Sequence, residues 1–346
     1  MIYLISLPNH KKHQNINGNS LMSEKIYSRY FKLNEDLLLN ATSDSNIKNK
    51  IKKIYLIIKS VLLIITRQQK SVYTVLYDYK GLYLQIIFLY IVSFFCKKII
   101  VHHHSFRYLI DKKIIKLLRS KNITHIASSK KQYFKLKKNY SLKKIYFVPN
   151  YIFILDENIK IISKNKINRL KIFYYSRINE SKGISDYIRI VEEMNGNKKI
   201  IFNVFGNECS NNYKEKILSL KKIGKIKKFK LNINQKYQKK IFTEHDILIF
   251  PTKHTSETTP MVIDECINYG VVPISYNKGD IKGQIGKLNL VVNNYTQMKK
   301  KILKTIKNFK NEKKKIIKDK ENKKNKTVNY FKVLDNIFMN KWSDFY

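Results

Sequence analysis

Residues 246–270, DILIFPTKHTSETTPMVIDECINYG, constrain the fold more than any other stretch of the chain. The short apolar run after Asp246, closed by Pro251, reads as a buried parallel strand that delivers its C-terminal end to a loop. Thr259 suits an N-cap, Pro260 a first helical position and Gly270 the residue just past a helix, so the spacing predicts a helix over 260–269. An apolar strand restarts at 271–275. In such a strand, loop, helix, strand unit the loop lies at the carboxyl edge of the sheet, where open α/β folds bind ligands. The helix start there offers free amides and a positive dipole end to phosphate. That loop carries Glu257.

Glu265 follows Glu257 by eight positions and falls about a turn and a half into the helix, where a carboxylate can accept two hydrogen bonds from a vicinal diol such as a ribose. Two glutamates at this spacing also fit a solvated helix face, so the flanking strands and Gly270 carry the weight. With them, the pattern resembles the signature of the retaining family 4 (group 1) glycosyltransferases of GT-B fold. The resemblance implies that Glu265 holds the donor ribose, and that Glu257, with the amides of Thr258 and Thr259, meets the sugar and its leaving phosphate.

A chain of 346 residues suffices for two domains, and 43% apolar content belongs to a globular protein. Cys96, Cys209 and Cys266 stand far apart with no metal-like spacing, which fits a reducing cytoplasm. The formal net charge of +44 points toward nucleic acid, an anionic membrane surface or an acidic ligand. Lysine, isoleucine and asparagine are enriched everywhere, however, as compositional drift would make them. There is no GxGxxG and no GxxxxGK[ST], which argues against a dinucleotide enzyme or a P-loop NTPase.

In the first half, residues 1–7 read as a first strand, too short and too poorly flanked for a signal peptide. The polar loop 8–19 contains Gly18, which matches the family's glycine in the loop facing the cleft. Residues 82–96 are the most hydrophobic stretch, too short for a membrane span and read as a buried helix. A strand over 99–101 then runs into His102, His103 and His104. Alternation along a strand lets only His102 and His104 share a face, and no acidic or cysteine ligands accompany them, so metal binding is not expected. The family carries a histidine facing the donor sugar at this place, with His104 the first match and His102 the second. Strands are expected at 123–129 and at 145–150, IYFVPN, which resembles the closing strand of the family's first domain.

The second half starts after a lysine-rich linker. A strand over 170–175 leads to Arg177, then Lys182 and Gly183 before an amphipathic helix, bringing two cations to the mouth of the sheet where a diphosphate needs neutralising. In a chain with 69 Lys and Arg these acquire value from the family's own strand, Arg, loop, Lys-Gly pattern. Residues 200–205 form a strand ending at Gly206, a glycine that allows close ligand approach. The family's glycine between the next strand and helix is missing, and residues 231–234 stand in its place. A last strand is expected at 288–292, a helix at 296–309, and an exposed helix or partly disordered run at 311–327.

The resemblance implies an α/β GT-B protein: two doubly wound Rossmann-like domains facing across a cleft. Residues 1–155 form the acceptor domain, 156–169 the linker, 170–310 the nucleotide-sugar domain, and 311–346 a lysine-rich segment with a terminal helix returning to the first domain. The implied reaction moves a sugar from a nucleotide-sugar to an acceptor hydroxyl with retention, in surface polysaccharide or glycoconjugate synthesis. No Asp-x-Asp motif is present, so no cofactor or metal is expected and Arg177 and Lys182 substitute for a divalent ion. Expected partners are the donor, a glycan or lipid-linked acceptor and an anionic membrane surface, with the lysines of 130–144 as the contact. The expected location is cytoplasmic, peripheral on the inner face of the membrane. Two readings compete: a basic nucleic-acid-binding protein, disfavoured by dispersed lysines without a recognised module, and a catalytically silent GT-B interaction protein, disfavoured by intact Arg177, Lys182, Glu257 and Glu265. Nucleic acid is not an expected partner.

Overall fold

The computed structural model describes residues 2–5, 18–30, 37–40, 55, 58, 59, 62, 64, 66, 71–76, 82–105, 113–156, 158, 159, 161, 169–194, 196–255 and 257–339. Backbone contacts divide the chain into two units, residues 1–153 with 328–346, and residues 154–327. Each is an α/β layer structure around its own sheet.

In the first unit, strands β1 (Ile2–Ile5), β2 (Leu37–Asn40), β3 (Ser71–Leu76), β4 (Lys98–His103), β5 (Ile123–Ala127) and β6 (Ile145–Phe147) lie in the order β2-β1-β3-β4-β5-β6. Every pairing is parallel. Among the described residues, helices α1 (Gly18–Tyr30), α2 (Leu82–Val92) and α3 (Lys130–Tyr140) and a 3₁₀ segment, Lys113–Arg119, lie in the crossovers β1–β2, β3–β4, β5–β6 and β4–β5 respectively. Ser129 caps α3 by accepting from Gln132 N at 3.1 Å, and Ser141 ends it in the left-handed conformation.

Three expectations change here. Gly18 is the first residue of α1, not a member of a loop, and residues 6–17 lie outside the described residues. Strand β4 runs on through His103, because a central strand covered on both faces keeps pairing as far as its neighbours do. The stretch 82–96 is buried on one face only: Leu82, Ile86, Phe88, Leu89 and Val92 enter the core, while Phe94 and Phe95 are 70% and 57% exposed.

In the second unit, β7 (Leu170–Tyr175), β8 (Ile200–Phe205), β9 (Lys228–Lys230), β10 (Ile247–Phe250), β11 (Val272–Tyr276) and β12 (Val291–Val292) lie in the order β12-β11-β10-β7-β8-β9, again all parallel. The chain steps outward from β7 through β8 to β9, then returns to β10 on the other side of β7 and steps outward again. The strand order therefore reverses between β7 and β10. Helices α4 (Ile184–Met194), α5 (Asn211–Lys222), α6 (Gln235–Glu244), α7 (Met261–Tyr269), α8 (Ile281–Ile285) and α9 (Tyr295–Lys307) connect the strands, and α10 spans Phe309–Met339.

Helix α7 begins one residue later than the spacing predicts, with Pro260 rather than Thr259 at the N-cap. Gly270 ends it at φ 72°, a left-handed conformation that costs a glycine nothing. The last strand has shrunk to Val291–Val292, because residues 286–288 close into a 3₁₀ turn. The lysine-rich run after 310 is continuous helix, and two of its lysines are structural. Lys320 Nζ donates to the carbonyls of Ile159 and Asn268 at 2.8 and 2.9 Å, and Lys323 Nζ lies 3.3 Å from Asp264 Oδ1. Their long aliphatic stems lie along the unit while the ammonium groups reach buried acceptors.

Candidate active site

The loop after β7 and the loop after β10 leave neighbouring strand ends on the same edge of the second sheet. Three contacts knit them together. Lys253 N donates to Ser181 O at 3.0 Å. Gly183 sits at φ 74°, where a Cβ would meet Pro251 O at 1.8 Å, so only glycine lets the loops pass. Lys182 Nζ donates to Glu257 Oε1 in a pair whose side chains are 12% and 13% exposed. Thr252 Oγ1 donates to the same oxygen at 3.3 Å.

Lys182 is placed by a short 3₁₀ turn, Glu180–Lys182, capped by Asn179, whose Oδ1 accepts from Lys182 N at 3.1 Å. Lys253 anchors the turn from the other loop, with Nζ 2.5 Å from Glu180 Oε1 and 3.4 Å from Asp186 Oδ1. Burial pushes the Glu180 carboxyl up, but the hydrogen bonds from Lys253, Tyr213 and Ser185 prevail and hold it at about 2. Arg177 is exposed at the end of β7, and its carbonyl accepts from Tyr174 OH at 2.7 Å.

Glu257 is fixed from behind. Gly279, in the turn after β11, has φ 56°, and a Cβ there would sit 1.5 Å from Glu257 O. Asp280 N donates to Thr258 O at 3.1 Å, and Thr258 is buried. Gln284 Nε2 reaches Pro260 O at 3.0 Å and Asp264 Oδ2 at 2.7 Å, tying down the start of α7. Thr259 sits one residue before the cap, half-buried.

Glu265 lies on α7, and Gln238 Nε2, on α6, donates to its Oε1 at 2.8 Å. Gly206 follows β8. A Cβ there would meet Ser176 O at 2.3 Å, so the glycine allows close approach of two backbone segments. The missing family glycine after β9 is answered by Asn232, which adopts φ 55°, a conformation asparagine tolerates better than most residues.

The structure thus brings Lys182, Gly183, Glu257 and Thr258 together, with Arg177 and Gly206 on the adjoining strand ends and Glu265 one helix turn further in. Sequence reasoning missed Thr252, Lys253, Gln238 and Gly279. Gly279, after an apolar strand and before Asp280, had a readable turn signal; the other three are visible only once β10 lies beside β7.

In the first unit, His102, His103 and His104 are all buried. His102 Nδ1 lies 3.1 Å from Tyr73 OH, and its ring centroid is 4.1 Å from that of His104. His103 Nε2 lies 3.0 Å from His125 Nδ1. Burial lowers all four pKa values, His102 and His103 well below the usual histidine range and His104 and His125 to about 4. The rings are therefore neutral at pH 7. Among the described residues no three His, Cys, Asp or Glu side chains gather as metal ligands.

Residues 156–324 match the family Glycosyl transferases group 1. No curated protein sequence matches the chain. Among solved structures, sucrose-phosphate synthase from Thermosynechococcus elongatus superposes with a TM-score of 0.67 at 11% identity, covering 98% of this chain and 99% of that one. HepE from Anabaena, in complex with UDP and glucose, gives 0.64 at 13% identity, covering 97% and 95%. A TarM variant from S. aureus, in complex with Fondaparinux, alpha-GlcNAc-glycerol and UDP, gives 0.56 at 15% identity, covering 70% of this chain. The chain spans 50% of the length of that TarM structure and 57% of a second one. The protein has the GT-B fold, and its residues 156–324 are similar to the Glycosyl transferases group 1 family.

Proposed function

We propose that the protein transfers a sugar from a nucleotide-sugar donor to an acceptor hydroxyl with retention at the anomeric carbon. The observation that carries this reading is the meeting of Lys182 and Glu257 at the point where the strand order reverses, between β7 and β10. Open α/β sheets bind ligands at that point, because the loops there diverge and leave a crevice. Arg177 and Lys182 contact the diphosphate. Since the leaving group is a diphosphate, stabilising its departing charge is the main electrostatic task, and the two cations with the amides of Thr258 and Thr259 carry it without a metal ion. Glu265 takes the ribose hydroxyls, with Gln238 fixing its rotamer. Glu257 takes the sugar once the nucleotide has drawn Lys182 away.

Acceptor binding belongs to the first unit, which carries Gly18. His104, with His102 as the second choice, is assigned to the donor sugar, where its neutral ring at pH 7 acts as a hydrogen-bonding group rather than as an acid. The reading extends to surface polysaccharide or glycoconjugate synthesis on a glycan or lipid-linked acceptor, at the inner face of the membrane, and does not include nucleic acid. The HepE and TarM structures were solved with UDP, which makes a uridine nucleotide the first donor to test.

The test is a panel of nucleotide-sugars with the purified protein, following release of nucleoside diphosphate with and without a chelator, and reading the anomeric configuration of the product by NMR. Chelator-resistant release with a retained anomer is expected. A protein that neither binds any nucleoside diphosphate in calorimetry nor hydrolyses any donor overturns the reading.

A further inference from the structure

Helix α2 is apolar on its outer face as well as on the face that enters the core. Its amide residue, Gln85, is buried at 6% exposure, where Nε2 donates to Val75 O at 2.8 Å and Thr74 Oγ1 at 3.1 Å. Its outward stripe is apolar instead: Tyr83, Ile87, Tyr90 and Ile91, continued by Phe94 and Phe95 in the turn that follows. A surface helix ordinarily carries charged and polar residues on that outer face. The helix has 11 residues, and no helix among the described residues is long and apolar enough to cross a membrane.

The surroundings of this stripe are cationic. The 3₁₀ segment Lys113–Arg119 packs against both α2 and α3, and buried Ile115, Leu118 and Leu136 join Ile86 and Leu89 in one core. The three elements therefore share one face of the sheet. Outward from that face stand Lys116, Leu117 and Arg119 on the middle element, and Lys131, Phe134 and Lys138 on α3, with Phe134 63% exposed. Residues 82–153 contain fifteen Lys and Arg and a single acid, Asp111. The whole chain has 69 against 25, so drift toward lysine does not account for the near absence of acids here.

We propose that this face, the outer stripe of α2 with the cationic rims on Lys113–Arg119 and α3, docks on an anionic lipid bilayer. Aromatic and aliphatic side chains without a charged neighbour on the same stripe suit the boundary between headgroups and acyl chains, and lysines around them suit anionic headgroups. Charge decides against a second copy of the chain as the occupant, since two surfaces this cationic repel. The proposal rests on the membrane part of the function proposed above and is independent of the sugar chemistry.

The test is cosedimentation of the full chain with phosphatidylcholine vesicles, with and without phosphatidylglycerol, at low and high salt. Binding is expected only with the anionic lipid, weakened by salt, and reduced at least about tenfold by Phe94→Ala with Phe95→Ala. Lys131→Glu with Lys138→Glu is expected to abolish the preference for anionic lipid. Should the phenylalanine variant fold poorly, hydrogen exchange on the unaltered protein reads the same contact, with residues 83–95 gaining protection on vesicles. Equal sedimentation with both vesicles, unaltered exchange at 83–95, or a dimer in ultracentrifugation that the phenylalanine changes dissolve each overturns the proposal. Nucleoside diphosphate binding is measured alongside, so that a failure of docking with donor binding intact is not mistaken for a failure of the donor site.

Discussion

Lys182 on the loop after β7 and Glu257 on the loop after β10 neutralise one another across the two central strand ends of the second sheet. They lie 75 positions apart in sequence. On the function proposed above, a diphosphate entering this site would compete with Glu257 for the lysine, so that nucleotide binding and release of the glutamate toward the sugar would be one event.

Removing the cation and removing its competitor should therefore have opposite effects on the nucleotide. Lys182→Ala is expected to weaken nucleoside diphosphate binding by about 1.5–3 kcal/mol, the scale of a charged hydrogen bond. Glu257→Gln should bind the nucleotide at least as well as the parent while turning over more slowly, because its proposed partner is the sugar. Calorimetry decides: a loss of affinity in Glu257→Gln equal to that in Lys182→Ala rules out the competition.

Glu265 and Gln238 form a second pair, at 2.8 Å. Glu265→Gln keeps the volume but sets an amide donor against a ribose hydroxyl, and donor affinity should fall by roughly 1–3 kcal/mol. A 2′- or 3′-deoxy nucleotide should lose less on this variant than on the parent, since the two losses share one contact and do not add. Gln238→Leu should show a smaller loss of the same kind. Additive losses would place the ribose elsewhere.

Gly279 supports Glu257 through its backbone. Gly279→Ala places a methyl group where Glu257 O now lies, at a φ that disfavours alanine in any case. The 257–260 segment has to shift, and near-complete loss of transfer is expected, since small displacements of positioning groups are costly to rate. Circular dichroism should remain close to that of the parent. Full activity in this variant would mean that the position of the Glu257 backbone is unimportant.

How much of this could be read from the chain depends on whether the information was local. Gly270 announced a helix end because left-handed backbone is a property of one residue, and it adopts φ 72° as its place demanded. Lys182 and Glu257 were legible singly, each as a residue just past an apolar strand, but their contact needed the strand order. Asn232, within the 231–234 segment that lacks the family's glycine, takes a positive φ because asparagine can replace glycine there, which the sequence does not announce. Helix α2 was misread because apolar content alone cannot tell a buried helix from one whose outer face is also apolar. Lys320 and Lys323 disappeared into a lysine-rich run, since nothing in such a run marks the residues that reach Asn268 and Asp264.

Acid should weaken the first unit before the second. His102, His103, His104 and His125 are buried there with pKa values below 6.5, the last two at about 4. The unfolded chain protonates these rings first as pH falls, so the folded state loses stability between pH 6.5 and about 4, by about 1 kcal/mol per pH unit for each ring that stays neutral. The second unit buries His245, also near 4. Hydrogen exchange at pH 7 and pH 5 should show β4 and β5 opening more readily at the lower pH, while β7 and β8 change less. Equal change in both sheets would show that the histidine cluster is not the cause.

Lys323 and Asp264 provide the last test, because Asp264 is buried at 2% side-chain exposure and its half-buried partner Lys323 is at 12%. Burial pushes the Asp264 carboxyl above its usual value, against the pull of Lys323 and of the hydrogen bond from Gln284. Lys323→Met leaves that carboxylate without its cation, and a loss of about 3 kcal/mol in the stability of the second unit is expected at pH 7. Adding Asp264→Asn should restore much of the loss, since the amide needs no counter-ion and can still bond to Gln284. The pH dependence has a definite sign. Without the lysine, the folded-state pKa of Asp264 rises further above that of the unfolded chain. The folded state then binds the extra proton, and the deficit of Lys323→Met relative to the parent shrinks as pH falls. Chemical denaturation of parent, single and double variants at pH 7 and pH 5 measures all three differences. A deficit that stays constant with pH, or a double variant no better than Lys323→Met, would mean that the lysine acts through its aliphatic stem alone.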